Sequence, residues 1–390
     1  MRGGRNRTGR STQHRLAWSL LAQSPFLRLL PNDNNDEPLY NPAAAFAQTA
    51  RVTGLCPDGG PRCSRFEGIC GLPALAQQSV VQLPDIFVTS DNYSIHVSHK
   101  AGARPNKIPV LLIHGSWGNA QTWDFPGRSV MDYLAVCGYD VYALDLRGMG
   151  ESIPTPSGPA DYFPIDIPGR VRDAAAVAAY IRNNTGRVPI VVGWSQGGLI
   201  TGLLAASDPQ HLLAAGVGLL SVAPAGFVIP GDLLATGEAQ RILFSVFPEA
   251  VPPSQADINE IIFGTDPITG KPTISPDALT TFSTPPFLQP ESSIAVVQET
   301  ELCPIFLGTV PGLTACPAQS VPWGNITVPA LVVDGALDLL VGEDLSTSLF
   351  NSLGSMNKRL IIFPRNSHGW FLEDDYNDTM HVFDRFLSQF

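Results

Sequence analysis

The chain has 390 residues, 44% of them hydrophobic and only 15% charged, enough apolar material for one large α/β domain with an insertion or for two domains. Its net charge of -11, with lysine only at positions 100, 107, 271 and 358, argues against a nucleic-acid surface, which needs clustered cations. No run of 18 apolar residues occurs, so no transmembrane helix is expected.

The first 30 residues carry Arg2, Arg5, Arg7, Arg10, Arg15 and Arg28 and no acid, the charge bias of a targeting segment. Its apolar part, Leu16 to Ala22, is broken by Ser19, so a secretory signal, an organellar presequence and a plain arm all stay open. Residues 1–83 are read as an N-terminal arm, linker-like from Pro31 to Pro42 and bearing Cys56, Cys63 and Cys70. The cysteines fit no zinc spacing. Cys303 and Cys316 bracket a Gly/Pro-rich loop suited to a disulfide, whereas Cys137 lies on an apolar helical stripe and reads as a buried free thiol. Sequons beginning at Asn6, Asn92, Asn183, Asn325 and Asn377 lean, with the cysteines, toward a secretory route over an organellar or cytoplasmic one.

From residue 84 strands and helices alternate, which predicts an α/β fold: a mostly parallel eight-stranded sheet with helices on both faces. An edge hairpin over 85–100 turns at Asp91 and Asn92, and strands follow at 108–113 and 139–145, with a helix around 126–137 between them. A helix from Arg170 to Asn183 presents Val171, Ala175, Ala178 and Ile181 on one face. Strands at 188–193 and 214–222 flank a helix at 196–206, and the rhythm then stops. Residues 224–327, rich in Pro and Phe, are too long for a structureless loop and read as a cap inserted into the core formed by 84–223 and 328–390. Strands at 328–335 and 359–364, a helix around 343–353 and a final amphipathic helix complete the pattern.

The segment Gly193-Trp194-Ser195-Gln196-Gly197 lies between an apolar strand and a helix, the setting of a nucleophile elbow, in which a serine is displayed at a sharp turn. Such a hydroxyl needs a base and a group that orients the base, in the chain order Ser, acid, His. Of the histidines after Ser195, His368 follows a strand end, where catalytic loops of open α/β sheets gather, whereas His211 and His381 fall at packing or surface positions. Asp338, in the turn after the strand ending at Gly335, is favoured over Asp334 as the orienting acid; the run Glu373 to Asp375 reads as a solvated face. The oxyanion donors expected are the backbone N–H of Gln196 and that of Ser116, with Trp117 second for the latter; His114 then fixes their loop.

His114-Gly115, the turn from Asp145 to Ser152, the elbow, Gly335 to Asp338 and His368-Gly369 occur in one order, and with them the chain resembles the α/β-hydrolase family from about residue 84 to 390. The resemblance implies that Asp145 is structural. Relatives that open epoxides or displace halide carry Asp at the elbow, so Ser195 speaks for acyl transfer to water. The leading expectation is a serine hydrolase cleaving a small, apolar carboxylic ester, with Ser195, His368 and Asp338 as triad. Release of N-terminal aminoacyl groups is the alternative, for which Glu238, Glu249, Asp257 and Glu260 of the cap offer acids; a non-catalytic binding protein of the same fold is a third reading. No metal, nucleotide or flavin is expected, and no residue pattern fixes an oligomeric state.

Overall fold

The structure is a computed structural model, which describes residues 48–51, 80–91, 93–102, 105, 107–116, 118–152, 167–222, 224, 262–284, 286–287 and 321–390. Ten strands form one mixed sheet. They are β1 (Gln48–Arg51), β2 (Val80–Gln82), β3 (Ile86–Ser90), β4 (Tyr93–Gly102), β5 (Pro109–Ile113), β6 (Asp140–Leu144), β7 (Ile190–Trp194), β8 (Gly216–Leu220), β9 (Ala330–Gly335) and β10 (Lys358–Phe363). The order is β1-β10-β9-β8-β7-β5-β6-β4-β2, with β3 also on β4. The pairs from β1 to β6 are parallel, and those of β4 with β2, β3 and β6 are antiparallel.

The eight strands expected from the sequence are β3 to β10. The sheet exceeds eight because β1 and β2 come from the segment read as an arm; both are short edge strands whose sequence has no clear alternation, so only pairing with β10 and β4 defines them.

Six helices of the described residues cover the sheet: α1 (Val130–Val136), α2 (Ile167–Thr185), α3 (Gln196–Ala206), α4 (Pro276–Phe282), α5 (Gly342–Ser352) and α6 (Tyr376–Leu387). None is long and apolar enough to cross a membrane. The central strands are buried along their whole length, as parallel strands covered on both faces must be. Their alternation divides the core. Val110, Leu112 and Val192 face α1 and α6, whereas Leu111, Ile113 and Val191 face α2, α3 and α5.

Local chemistry sets the helix ends. Ser129 caps α1 by accepting from Asp132 N–H at 2.9 Å, and Gly138, at φ 90°, ends it in the left-handed region that glycine tolerates. Cys137 is fully buried beside that turn but is disulfide-bonded rather than a free thiol. An apolar setting suits a buried thiol and a buried disulfide equally, so the stripe did not distinguish them. Its partner lies outside the described residues, as do Cys303 and Cys316.

Helix α2 packs on the core as expected, with Ala178 and Ile181 fully buried and Val171 and Ala175 half-buried against it; its buried face also includes Arg170, Asp173, Ala174 and Val177. The buried face carries charge because Arg147 Nε and a terminal nitrogen donate to the two oxygens of Asp173, at 2.7 and 2.6 Å, so the ions enter the core as a pair.

Of the region expected to form a cap, the described part packs on the core. Phe263 and Phe287 meet Phe282 and Phe125 edge-on, at centroid distances of 5.2 and 5.1 Å. These rings are buried in the core cluster. Phe227, Phe244, Phe247, Phe306 and the acids Glu238, Glu249, Asp257 and Glu260 lie outside the described residues.

Candidate active site

The carboxyl ends of β5, β7, β8, β9 and β10 meet along one edge of the sheet. At the end of β7 the chain turns at Ser195, whose φ of 54° and ψ of -120° place a non-glycine residue in a sparsely populated region. The surroundings hold it there: Ser195 N–H donates to Leu220 O at 2.8 Å, and Gly198 and Leu199 N–H donate to Ser195 O. Ser195 remains half-buried while its neighbours Trp194 and Gln196 are buried.

The turn needs glycine at two points. A Cβ on Gly193 would overlap the Gly197 carbonyl, and one on Gly197 would overlap the carbonyl oxygen of Ile113. Since the obstruction is backbone, Gly197→Ala is expected to destabilise the fold by about 3 kcal/mol or more, at the upper end of overpacking costs, as measured by denaturant unfolding. A loss below about 1 kcal/mol would mean that the elbow is not packed this tightly on β5.

The β5 loop lies against the elbow. A Cβ built on Gly115 would be 3.1 Å from Ser195 Cβ, so the half-buried Ser116 follows directly beside the serine. His114 fastens the loop: its Nδ1 donates to Gly115 O at 2.7 Å and its Nε2 accepts Leu146 N–H at 3.1 Å. Burial pushes its pKa down to about 4, which keeps the ring neutral and able to accept. Among the described residues neither Ser116 N–H nor Gln196 N–H, in the first turn of α3, is taken by another group. Trp117 lies outside the described residues.

His368 follows β10 on a loop tied to three elements. Trp194 Nε1 donates to its carbonyl at 2.9 Å and Ser221 Oγ lies within hydrogen-bond reach of it at 3.2 Å, while Gly369 N–H donates to Ile262 O at 2.9 Å. Its Nδ1 donates to Asp338 Oδ2 at 2.7 Å. Leu337 N–H to Asn366 O, at 2.8 Å, joins the turn bearing Asp338 to the loop bearing His368. Burial alone would raise the Asp338 carboxyl, but the His368 ring and the N–H groups of the turn outweigh it and hold the pKa below the usual value. Among the described residues no hydrogen bond joins Ser195 to His368; such contacts are often long before substrate tightens them.

Asp334 does not reach His368. It is fully buried beneath the turn and accepts from Ser221 Oγ, Ser346 Oγ and Gly335 N–H. Asp145 is likewise structural, accepting Ala120 and Glu151 N–H and bonded to His96 at 2.8 Å. His211 and His381 are exposed.

Glu373 corrects the reading of an acidic solvated run. It is fully buried and accepts from Ser367 N–H, Ser367 Oγ, Asn366 Nδ2 and Thr273 Oγ1, so it anchors the loop before His368. Its place after Trp370-Phe371-Leu372, all buried, was the available signal. Sequence reasoning also missed Arg170, which donates to Gln196 Oε1 behind the elbow, and Trp194 as a support of the His368 loop.

Burial pushes the Glu373 pKa up to about 7, against its hydrogen bonds, from an ordinary value of 4.5. The folded state then binds the proton more tightly than the unfolded state, so this group's contribution is present below pH 4.5 and lost as pH rises to about 7. Glu373→Gln is therefore expected to flatten the fall of stability across that window by about 2 to 3 kcal/mol, read from denaturant midpoints at pH 4.5 and 7.5. An unchanged slope would assign the titration elsewhere.

A family model described as "Alpha/beta hydrolase family" matches residues 110–379. An esterase from Exiguobacterium antarcticum superposes with a TM-score of 0.56 at 16% identity, over 78% of this chain and 100% of that one. A thermophilic esterase from Thermogutta terrifontis superposes with a TM-score of 0.55 at 17% identity, over 79% and 99%. A curated relative from Cupriavidus necator, the dihydrolipoyllysine-residue acetyltransferase component of an acetoin cleaving system, is 32% identical over 152 residues, 39% of this chain and 34% of that protein. The match therefore spans about a third of that relative's length. At these identities the solved structures establish the shared fold, and the family model, which covers most of the chain, places it: the chain belongs to the alpha/beta hydrolase family.

Proposed function

We propose that the chain is a serine hydrolase that cleaves a small carboxylic ester through an acyl-enzyme, with Ser195 as nucleophile, His368 as general base and acid, and Asp338 as orienting acid. The observation that carries this reading is the 2.7 Å bond from His368 Nδ1 to Asp338, on a loop whose carbonyl is held by Trp194, the residue before Ser195. With Nδ1 committed as donor, Nε2 is the basic nitrogen, the tautomer that can take a serine proton.

Ser195 Oγ attacks the ester carbonyl carbon and its proton passes to His368 Nε2. The oxyanion receives Gln196 and Ser116 N–H, two donors fixed before reaction by α3 and by His114. The leaving alkoxide takes the proton from His368. Water, deprotonated by the same nitrogen, then attacks the acyl-serine and releases the acid.

Residues 224–327 form, in this reading, the cap that selects the acyl group. Transfer of the acyl group to an alcohol shares the first half-reaction, so the test includes an alcohol acceptor. The deciding experiment incubates the protein with p-nitrophenyl esters of short and long acyl chains, with and without an alcohol acceptor, beside aminoacyl-anilides, and maps a fluorophosphonate adduct by mass. Ester turnover with the adduct on Ser195 is expected. Cleavage of anilides alone would replace the esterase reading with a peptidase, and absence of both adduct and turnover would leave a binding protein.

A further inference from the structure

Two carboxyl groups share the pocket beneath the His368 loop, and the reading of Asp338 as orienting acid leaves the other, Asp334, unused. Asp334, next to last in β9, has a completely buried side chain. Just past β8, Ser221 Oγ donates to its Oδ1 at 2.9 Å; from α5, Ser346 Oγ donates to its Oδ2 at 2.8 Å; the end of β9 supplies Gly335 N–H at 2.9 Å. Its titratable neighbour is Asp338, in hydrogen-bond contact with it, and His368 lies beyond. Among the described residues no lysine or arginine forms an ion pair with Asp334.

Two adjacent carboxylates in a dry interior repel strongly, and the one ring available, His368, is bonded to Asp338. A single proton on Asp334 removes the repulsion and turns the contact into an O–H donor for Asp338. Burial, and then the Asp338 charge, push Asp334 in that direction, while Asp338 is held ionised. Ser221 completes a chain of contacts, because its hydroxyl lies within hydrogen-bond reach of both Asp334 Oδ1 and the His368 carbonyl.

We propose that Asp334 is a positioning residue of the triad: a protonated, neutral carboxyl that donates to Asp338 and fixes it as an ionised acceptor for His368. The inference rests on the reading of Asp338 given above. It assigns the proton of this buried pair to the member that does not face the imidazole. A charged Asp334 would add a second negative charge behind His368 and make the imidazole harder to deprotonate; a neutral one leaves the base tuned by Asp338 alone.

Asp334→Ala and Asp334→Asn, compared with wild type, separate these states. Alanine removes the donor and is expected to lower kcat for ester hydrolysis by about 10- to 100-fold, as loss of a supporting partner does. Asparagine restores a neutral N–H donor and is expected to rescue most of that loss and to keep the acid limb of the kcat/KM profile within about 0.3 pH units of wild type. A fall of that limb by about a unit or more in the asparagine variant would show that a negative charge had been removed, and would overturn the proposal. The His368 ring titrated by NMR reports the same displacement without activity. Should both variants fail to fold, wild-type protein labelled with 13C-aspartate decides the matter: a label-sensitive carboxylic-acid C=O band in the infrared at neutral pH is expected, and its absence would overturn the assignment. Asp338→Asn is the control: if that variant keeps wild-type kcat, the reading of Asp338 has failed and not the protonation of Asp334.

Discussion

Ser195→Ala is expected to lower kcat for p-nitrophenyl ester hydrolysis by about 10^4- to 10^6-fold while KM changes only severalfold. In the proposed mechanism the loss is large because removing the hydroxyl abolishes the acyl-enzyme route altogether and leaves water to attack a carbonyl polarised by the Ser116 and Gln196 N–H groups alone. The fold should be little disturbed: Ser195 Oγ donates no hydrogen bond among the described residues, and its backbone is held by Leu220 and by the first turn of α3. Thermal unfolding within a few degrees of wild type, loss of the fluorophosphonate adduct and loss of turnover would together support the assignment. Retained turnover in a folded Ser195→Ala protein would sink it.

The second large effect is expected at the acid. Asp338→Asn is expected to reduce kcat by about 10^4-fold, because an amide in place of the carboxylate can present N–H to His368 Nδ1 and stabilise the wrong tautomer. Asp338 Oδ1 is committed to Leu340 and Val341 N–H, at 2.7 and 3.0 Å, so the asparagine that keeps those bonds must turn its NH2 toward His368. The rate of fluorophosphonate labelling should fall with kcat, since both need a deprotonating base. If Asp338→Asn labels at the wild-type rate, Asp338 does not orient His368 for the deprotonation step.

The α/β alternation, the elbow and the order Ser195, Asp338, His368 were legible from residue 84 onward because each rests on a local rule: apolar runs for covered strands, glycine where the backbone closes on itself, and site residues after strand ends. Choosing Asp338 over Asp334 was legible for the same reason, as one lies in the turn and the other in the strand. The acidic run at 373–375 was misread because charge density in sequence does not report burial. Glu373 is drawn inside by Trp370, Phe371 and Leu372 and is satisfied by donors from residues 273, 366 and 367. The free thiol at Cys137 failed likewise, and the charge buried on α2 was not legible, since a disulfide and the Arg147–Asp173 pair are contacts between distant segments.

By itself the sequence determined the family pattern and the elbow that carries Ser195, because a parallel strand, a glycine-bounded turn and a helix are written in consecutive residues. The tertiary structure alone decided how His368 is held and where the charges lie: His368 by Asp338, Trp194 and Ser221, the loop after β5 by His114 and Leu146, and the buried acids Asp334 and Glu373 by hydroxyls brought to them by folding. Those partners come from strands and helices up to 174 residues apart in the chain, and protonation in a dry interior depends on which groups folding brings within hydrogen-bond reach.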